Sequence, residues 1–136
     1  MANHARYLET IFDSRKQNSS IRKMRNLIKD IEFDGFIVTG ISGVAMGAIM
    51  ARSCRKTLTI VRKDDDKNNH SSYDIENIRW NAKYIFLDDL IASGVTFNKV
   101  KNKLKNYYNE WKVLGCKESK IIGQLLYDYS PSYKSL

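Results

Sequence analysis

The chain contains very few of the residues that cross-link small domains. Among its 136 residues are two cysteines, Cys54 and Cys116, and neither stands at metal-binding spacing from further ligands. Neither a disulfide framework nor a structural zinc site is therefore expected, and both thiols fit a reducing compartment. A single proline argues against fibrous and disordered classes.

Long apolar runs are also missing. No stretch approaches the length of a membrane span, and the first nine residues lack the apolar centre of a signal peptide. These absences predict a cytoplasmic protein with no membrane partner.

The composition that is present is that of a globular domain with a basic excess. Hydrophobic residues make up 43% and charged residues 28% of the chain, which is long enough for one domain with one core. The formal charge of +8 favours polyanionic partners. A nucleotide precursor with several phosphates meets that description, and so does nucleic acid.

The most informative stretch runs from Tyr84 to Phe97. Four β-prone apolar residues stop abruptly at Asp88 and Asp89, which predicts a buried parallel strand with two carboxylates at its carboxyl end. Small and hydroxyl residues around Gly94 follow, where an amphipathic helix begins, and this arrangement favours an anion. Together these features indicate a phosphorylated sugar; the alternative is a strand that turns into a helix through a capped Asp-Asp loop.

This stretch resembles the phosphoribosyl pyrophosphate motif of the type I phosphoribosyltransferases. Its residues 88–96 look especially like the version of that motif in adenine phosphoribosyltransferases. The matching positions are Asp88, Asp89, Ser93, Gly94 and Thr96, while Val95 replaces a frequent glycine. The resemblance implies that both acids hold the ribose hydroxyls and Mg²⁺, directly or through water, and that Asp89 accepts a proton from the base. It implies a 5'-phosphate site formed by Ala92, Ser93, Gly94, Val95 and Thr96.

A second strand, turn and helix precede this stretch. Residues 33–38 read as a strand and residues 44–50 as an apolar helix, with Thr39-Gly40-Ile41-Ser42-Gly43 between them. Such a turn can use glycine only for close packing. By resemblance it is the pyrophosphate loop, in which the backbone of Ile41, Ser42 and Gly43 binds the substrate.

The strand predicted for residues 57–61 ends at Arg62 and Lys63, and the hydrophilic run after it, 64–72, predicts a mobile loop. The family has a flexible basic lid at this place. Arg62 and Lys63 with Lys67 and His70 are similar to the lid pattern of orotate phosphoribosyltransferases, although the spacing differs. The resemblance makes Lys63, Lys67 and His70 catalytic and gives Arg62 and Lys63 contacts to pyrophosphate. His70 can equally be a solvent-exposed loop histidine.

The remaining segments of the chain complete the prediction. Helices are expected over residues 5–12 and 21–31, separated by capping residues 18–20, and over residues 97–111; the lysines and arginines on them are interpreted as solvated surface, with nucleic-acid contact as the alternative. A last strand is expected over residues 120–126. The polar tail after it carries Tyr127, Tyr129 and Tyr133 as candidates for stacking on a base.

We therefore expect an α/β fold of the type I phosphoribosyltransferase kind, with a mostly parallel sheet flanked by helices and a minimal or absent hood. The domain would comprise N-terminal helices (1–32), a core (33–126) and a tail (127–136). The implied activity is Mg²⁺-dependent transfer of ribose 5-phosphate from phosphoribosyl pyrophosphate to a nucleobase by a homodimer. The alternative is a non-catalytic sensor of phosphoribosyl pyrophosphate or nucleotides that binds a macromolecule through its basic surface.

Overall fold

The computed structural model describes residues 13–63, 74–89, 94–110, 115–127 and 130–136. Within these ranges the chain forms three helices and six strands. In chain order they are α1 (Ser14–Ile28), β1 (Gly35–Thr39), α2 (Gly40–Cys54), β2 (Thr57–Val61), β3 (Ile75–Glu76), β4 (Lys83–Asp88), α3 (Val95–Glu110), β5 (Lys120–Leu126) and β6 (Ser132–Ser135).

All six strands belong to one sheet in the order β3-β2-β1-β4-β5-β6. The four central strands are parallel, and the edge strands β3 and β6 pair antiparallel with β2 and β5. The prediction of a mostly parallel α/β sheet is confirmed. The residues interpreted as a polar tail contain β6, so that part of the interpretation was wrong.

The helices cover opposite faces of the sheet. Alternate residues of β1 point to the two sides: Phe36 and Val38 pack in a cluster with α1 and α2, whereas Ile37 packs in a second cluster with α3. Burial on both faces explains why β1 has no polar face and reads as a continuous apolar run. The chain moves from β1 through α2 to β2 on one side, and from β4 through α3 to β5 on the other.

The N-terminal part of the prediction needs a correction. Residues 18–20 were expected to separate two helices, but α1 runs through them without a break. Asp13 caps this helix, because its carboxylate accepts hydrogen bonds from the backbone N–H groups of Arg15 and Lys16 at 3.0 and 3.1 Å. The helix predicted over residues 5–12 lies outside the described residues.

Helix α2 also begins earlier than its apolar pattern indicated. It starts at Gly40, directly after β1, so residues 40–43 form its first turn instead of an open loop. At its other end Arg55 adopts a left-handed conformation (φ 57°) and closes the helix with a hydrogen bond from its N–H. The glycines of this turn had pointed to a loop, since glycine is a poor helix former.

Gly35 marks a place where β1 and β2 approach too closely for a side chain. A Cβ added there would lie 2.9 Å from the backbone oxygen of Thr57 and would also meet that residue's hydroxyl oxygen. We expect Gly35→Ala to lower the free energy of unfolding by about 1–3 kcal/mol, measured by urea denaturation, because the backbone of β2 must shift.

Gly43→Ala is the matched glycine control for that measurement. A Cβ on Gly43 would meet its nearest atom, in Val38, at 3.5 Å, which is ordinary contact. Its stability should be unchanged or slightly raised. Equal stability of the two variants would show that strand spacing does not depend on Gly35.

Candidate active site

The candidate site lies at the carboxyl ends of β1 and β4. These two central strands are neighbours, yet the chain leaves them in opposite directions, which creates the crevice where open α/β sheets bind ligands. Ser42 follows β1 and Asp89 follows β4; the Ser42 hydroxyl donates to the Asp89 carboxylate at 3.2 Å. The predicted pyrophosphate loop and the predicted acidic pair are therefore in direct contact.

Tyr127 extends this contact to the end of β5. Its hydroxyl donates to the Ser42 Oγ at 3.2 Å, and its backbone N–H donates to the Asp88 carbonyl at 3.1 Å. Tyr127 is 2% exposed, and burial raises the pKa of its phenol above the usual range. The side chain cannot stack on a base from this position, so the interpretation of Tyr127 as a stacking residue was wrong.

Asp88 is the most perturbed acid of the site. It is 8% exposed at the end of β4, and burial is the largest reason why its pKa rises to about 7. The side-chain hydrogen bond and the negative charge of Asp89 act in the same direction, whereas the Asp89 N–H, which donates to Asp88 Oδ1 at 2.9 Å, and the charge of Lys63 lower the pKa. Asp88 thus changes charge near neutral pH.

Lys63 brings a cation to this pair from the end of β2. Its side chain lies across Gly40, where an added Cβ would be 3.2 Å from the ammonium nitrogen. Gly40 has a φ of +76°, a left-handed conformation that lets α2 begin directly after β1. Lys63 therefore lies beside the turn for which the sequence predicts pyrophosphate binding.

Arg62 is held differently from its neighbour. Its guanidinium binds Glu76 of β3, with Nη2 at 2.8 Å and Nε at 3.2 Å from one carboxylate oxygen. Its backbone carbonyl accepts a hydrogen bond from Lys103 at 2.6 Å. A contact between Arg62 and pyrophosphate would compete with the ion pair to Glu76, a partner that the sequence did not predict.

Helix α3 begins at the same edge of the sheet. Gly94 has a φ of +74°, and Val95 and Thr96 are exposed in the first turn. Thr96 lines a cavity of about 180 Å³ together with Lys63, so the predicted phosphate loop and the predicted lid lysine face one space. The cavity is also lined by Lys99 and Lys103 of α3, and no sequence pattern distinguishes these two from the other surface lysines.

The first turns of α2 and α3 both suit an anion. Neither contains an acidic residue, and the N-cap of α2, Thr39, makes no side-chain capping bond. Ile41 is 85% exposed, so the start of α2 is open to a ligand. Free N–H groups at a helix start carry partial positive charge and bind phosphate.

Several predicted site residues cannot be placed. Lys67 and His70 of the predicted lid, Ala92 and Ser93 of the phosphate loop, and Tyr129 lie outside the described residues. Tyr133 is described, and its ring lies over Gly123 of β5, where it would clash with any added Cβ. Tyr133 therefore has a packing role in the sheet edge.

The donors at the site fit one Mg²⁺ that is shared with a substrate. Asp88 and Asp89 supply two carboxylates, and no group of three or more acids, histidines and cysteines suited to a metal occurs in the described part of the chain. Mg²⁺ is commonly held by one or two carboxylates together with substrate phosphates and waters. These two residues would hold the ion if it binds with a phosphorylated ligand.

Comparison with known proteins places the fold. No family model matches the chain, and no curated protein matches it. Among solved structures it is similar to adenine phosphoribosyltransferase from Thermoanaerobacter pseudethanolicus, with a TM-score of 0.63 and 16% identity over 82% of this chain and 67% of that one. It is similar to UMP synthase from Leishmania donovani, with a TM-score of 0.62 and 11% identity over 85% of this chain.

Orotate phosphoribosyltransferase from Francisella tularensis is a third similar structure, with a TM-score of 0.56 and 17% identity over 85% of this chain. The chain thus has a type I phosphoribosyltransferase-like fold. It spans 22% of the UMP synthase chain and 53% of the orotate phosphoribosyltransferase chain. No described helix is long and apolar enough to cross a membrane.

Proposed function

We propose that the protein transfers the ribose 5-phosphate of phosphoribosyl pyrophosphate to a nucleobase and releases pyrophosphate. The observation that carries this proposal is the hydrogen bond between Ser42 and Asp89, which joins the start of α2 to the acidic pair at the sheet crevice. An anion site beside two carboxylates suits a ligand with both phosphates and sugar hydroxyls. The fold shared with three phosphoribosyltransferase-related structures supports the same conclusion.

The two helix starts divide the substrate between them. The backbone of Ile41, Ser42 and Gly43 would bind the pyrophosphate, and residues 92–96 the 5'-phosphate. Asp88 and Asp89, between these anion sites, would accept hydrogen bonds from the ribose hydroxyls. Fixing the substrate at both ends positions the anomeric carbon for attack.

The reaction exchanges one bond at that carbon for another. The bond to the pyrophosphate oxygen breaks with its electron pair, and a ring nitrogen of the base forms the new bond and loses its proton to Asp89. Lys63, which lies over the first turn of α2, would stabilise the negative charge that develops on pyrophosphate. Lys67, His70 and, after release from Glu76, Arg62 would add to this effect when the predicted lid closes.

Asp88 and Asp89 would hold Mg²⁺ together with the substrate. The ion, when bound, supplies positive charge to the pyrophosphate and so assists its departure. Because the pKa of Asp88 is about 7, the pair is more fully ionised above neutral pH. Metal-dependent substrate binding should accordingly strengthen as pH rises from 6 to 8.

We also propose a cytoplasmic homodimer in which a second subunit helps to complete the base site. Tyr133 is engaged with Gly123, and Tyr127 is buried. The described tyrosines of the C-terminal segment therefore do not offer a free stacking surface, and the residues that select the base must lie elsewhere.

The proposal is tested by isothermal titration with phosphoribosyl pyrophosphate, with and without Mg²⁺, and by a pyrophosphate-release assay with a panel of nucleobases. We expect Mg²⁺-dependent binding and release with at least one base. The double variant Asp88→Asn/Asp89→Asn should lose both, while Asp74→Asn, an exposed acid near the same sheet edge, should retain them. Binding without release on any base would favour the sensor, and unchanged binding by the double variant would refute the enzyme.

A further inference from the structure

A second cavity, of about 760 Å³, lies at the amino ends of β1 and β2, whereas Asp88 lies at the carboxyl end of β4. One wall is α1, and the other is formed by the last turn of α2 and Lys56, which leads into β2. Phe33, just before β1, lies at its base. Since β1 and β2 begin here and end at the candidate active site, the two sites are separated by the length of the sheet.

Cations converge on this cavity from both walls. Arg22 and Arg25 of α1 and Lys29, the residue that follows α1, line one side, and Lys56 lines the opposite side; no carboxylate is among the described lining residues. Lys56 is held in place, because its Nζ donates to the Phe33 carbonyl at 2.7 Å and lies 4.7 Å from the centre of the Phe33 ring. The arrangement is a concave positive surface with one fixed cation.

Local structure accounts for part of this charge and not for all of it. Arg25 and Lys56 act on Cys54 in the last turn of α2, where the carbonyl end of the helix attracts cations. Arg22 lies one turn from Arg25 along α1, and it is not among the cations that act on Cys54 at the end of α2. Within the described ranges, no carboxylate forms an ion pair with Arg22, Arg25 or Lys29.

The sequence of α1 makes the charge more unusual. The helix contains five lysines and arginines and no acid. Arg22 and Arg25 are three residues apart, and Arg25 and Lys29 are four apart, so like charges occupy adjacent turns and destabilise the helix. A bound polyanion would relieve this repulsion.

The remaining lining indicates more than a phosphate. Asn18 and Asn26 of α1 offer both donors and acceptors, and the half-buried Ile21 and Ile31 offer apolar surface. Amide groups beside apolar side chains suit a nucleobase, and the volume falls in the range of small-molecule sites, about 300–1,000 Å³.

We propose that this cavity binds a nucleoside di- or triphosphate, with its phosphates on Arg22, Arg25 and Lys29 and its base between the asparagines and isoleucines. The site is independent of the proposed reaction, since it shares no residue with the crevice at Asp88. It would allow a nucleotide to bind while that crevice is occupied by phosphoribosyl pyrophosphate.

The test is equilibrium titration of the full chain with ATP, GTP, CTP and UTP in the presence of excess phosphoribosyl pyrophosphate and Mg²⁺. We expect at least one nucleotide to bind, and to bind equally to Asp88→Asn/Asp89→Asn. That variant keeps the test separate from the proposed function, because failure of the reaction site leaves this affinity unchanged.

Two double variants locate the nucleotide. Arg22→Gln/Arg25→Gln removes two lining cations and should weaken binding about a hundredfold, roughly tenfold for each charged contact. Lys16→Gln/Lys23→Gln removes the same charge from the same helix outside the cavity and should change the affinity by about twofold or less. Lys16 and Lys23 are exposed like Arg22 and Arg25 but lie outside the cavity lining, so the second variant is a control of equal charge. Circular dichroism verifies that both variants fold.

Three results would overturn the proposal. The first is equal weakening by both double variants, which would reveal a diffuse surface effect. The second is binding of inorganic triphosphate as tightly as every nucleotide, which would show that the cavity makes no favourable contact with the base. The third is binding of a single-stranded oligonucleotide only, which would identify the groove as a nucleic-acid surface.

Discussion

Asp88→Asn is expected to raise the free energy of unfolding at pH 8 by about 4 kcal/mol and to leave it nearly unchanged at pH 4. In the folded chain burial and Asp89 raise the pKa of Asp88 from 3.8 to about 7. At about 1.4 kcal/mol per pH unit, ionising this carboxyl in the folded state costs about 4 kcal/mol more than in the unfolded chain. Asparagine removes that cost and resembles the protonated acid in shape.

The pH range follows from the same two values. Between pH 4 and pH 7 the unfolded chain binds fewer protons at this position than the folded chain, so the wild-type protein loses stability as pH rises. The loss is complete above pH 7. Urea denaturation of both proteins at intervals from pH 4 to pH 8, without ligands, measures the difference.

Asp30→Asn is the control, because this acid is exposed between α1 and β1. It should show no gain that grows with pH. If the difference in unfolding free energy between Asp88→Asn and wild type is constant from pH 4 to pH 8, burial does not raise the pKa of the Asp88 carboxyl.

Lys63→Gln is expected to lower kcat for pyrophosphate release by about 10²–10³-fold, provided that the proposed reaction occurs. Loss of one preorganised charge at a developing anion has an effect of this size. The ammonium of Lys63 lies over Gly40 at the start of α2, where the proposal locates the pyrophosphate. Steady-state assays at saturating substrate give the comparison.

A second readout of Lys63→Gln does not require activity. The charge of Lys63 lowers the pKa of Asp88, so its removal should raise that pKa and extend the pH-dependent loss of stability above pH 7. Lys120→Gln, an exposed lysine at the start of β5, should alter neither kcat nor the pH range. Wild-type kcat in Lys63→Gln would exclude this residue from the reaction.

The central sheet and the acidic pair were predictable from short-range patterns. Four apolar residues ending in two aspartates can be read as a buried strand because β4 is covered on both faces. The fold has confirmed that reading. In the structure the carboxyl ends of the neighbouring strands β1 and β4 bring Ser42 and Asp89 into contact, which no local pattern specifies.

The two edge strands, β3 and β6, were harder to predict from the sequence. β3 has two residues, and β6 has only Tyr133 as an apolar side chain, so neither carries a periodic signal. The bond from Tyr127 to Ser42 joins residues 85 positions apart and has no local signature. The start of α2 was missed because its glycines favour a turn, whereas Gly40 uses its left-handed conformation to begin the helix.

The late position of β6 in the chain has a consequence for synthesis. Until residues 132–135 leave the ribosome, the outer edge of β5 is unpaired and Gly123 has no ring above it. An unpaired strand edge is a template for association with other chains. Released chains that end before Tyr133 should therefore self-associate more readily than chains that contain β6.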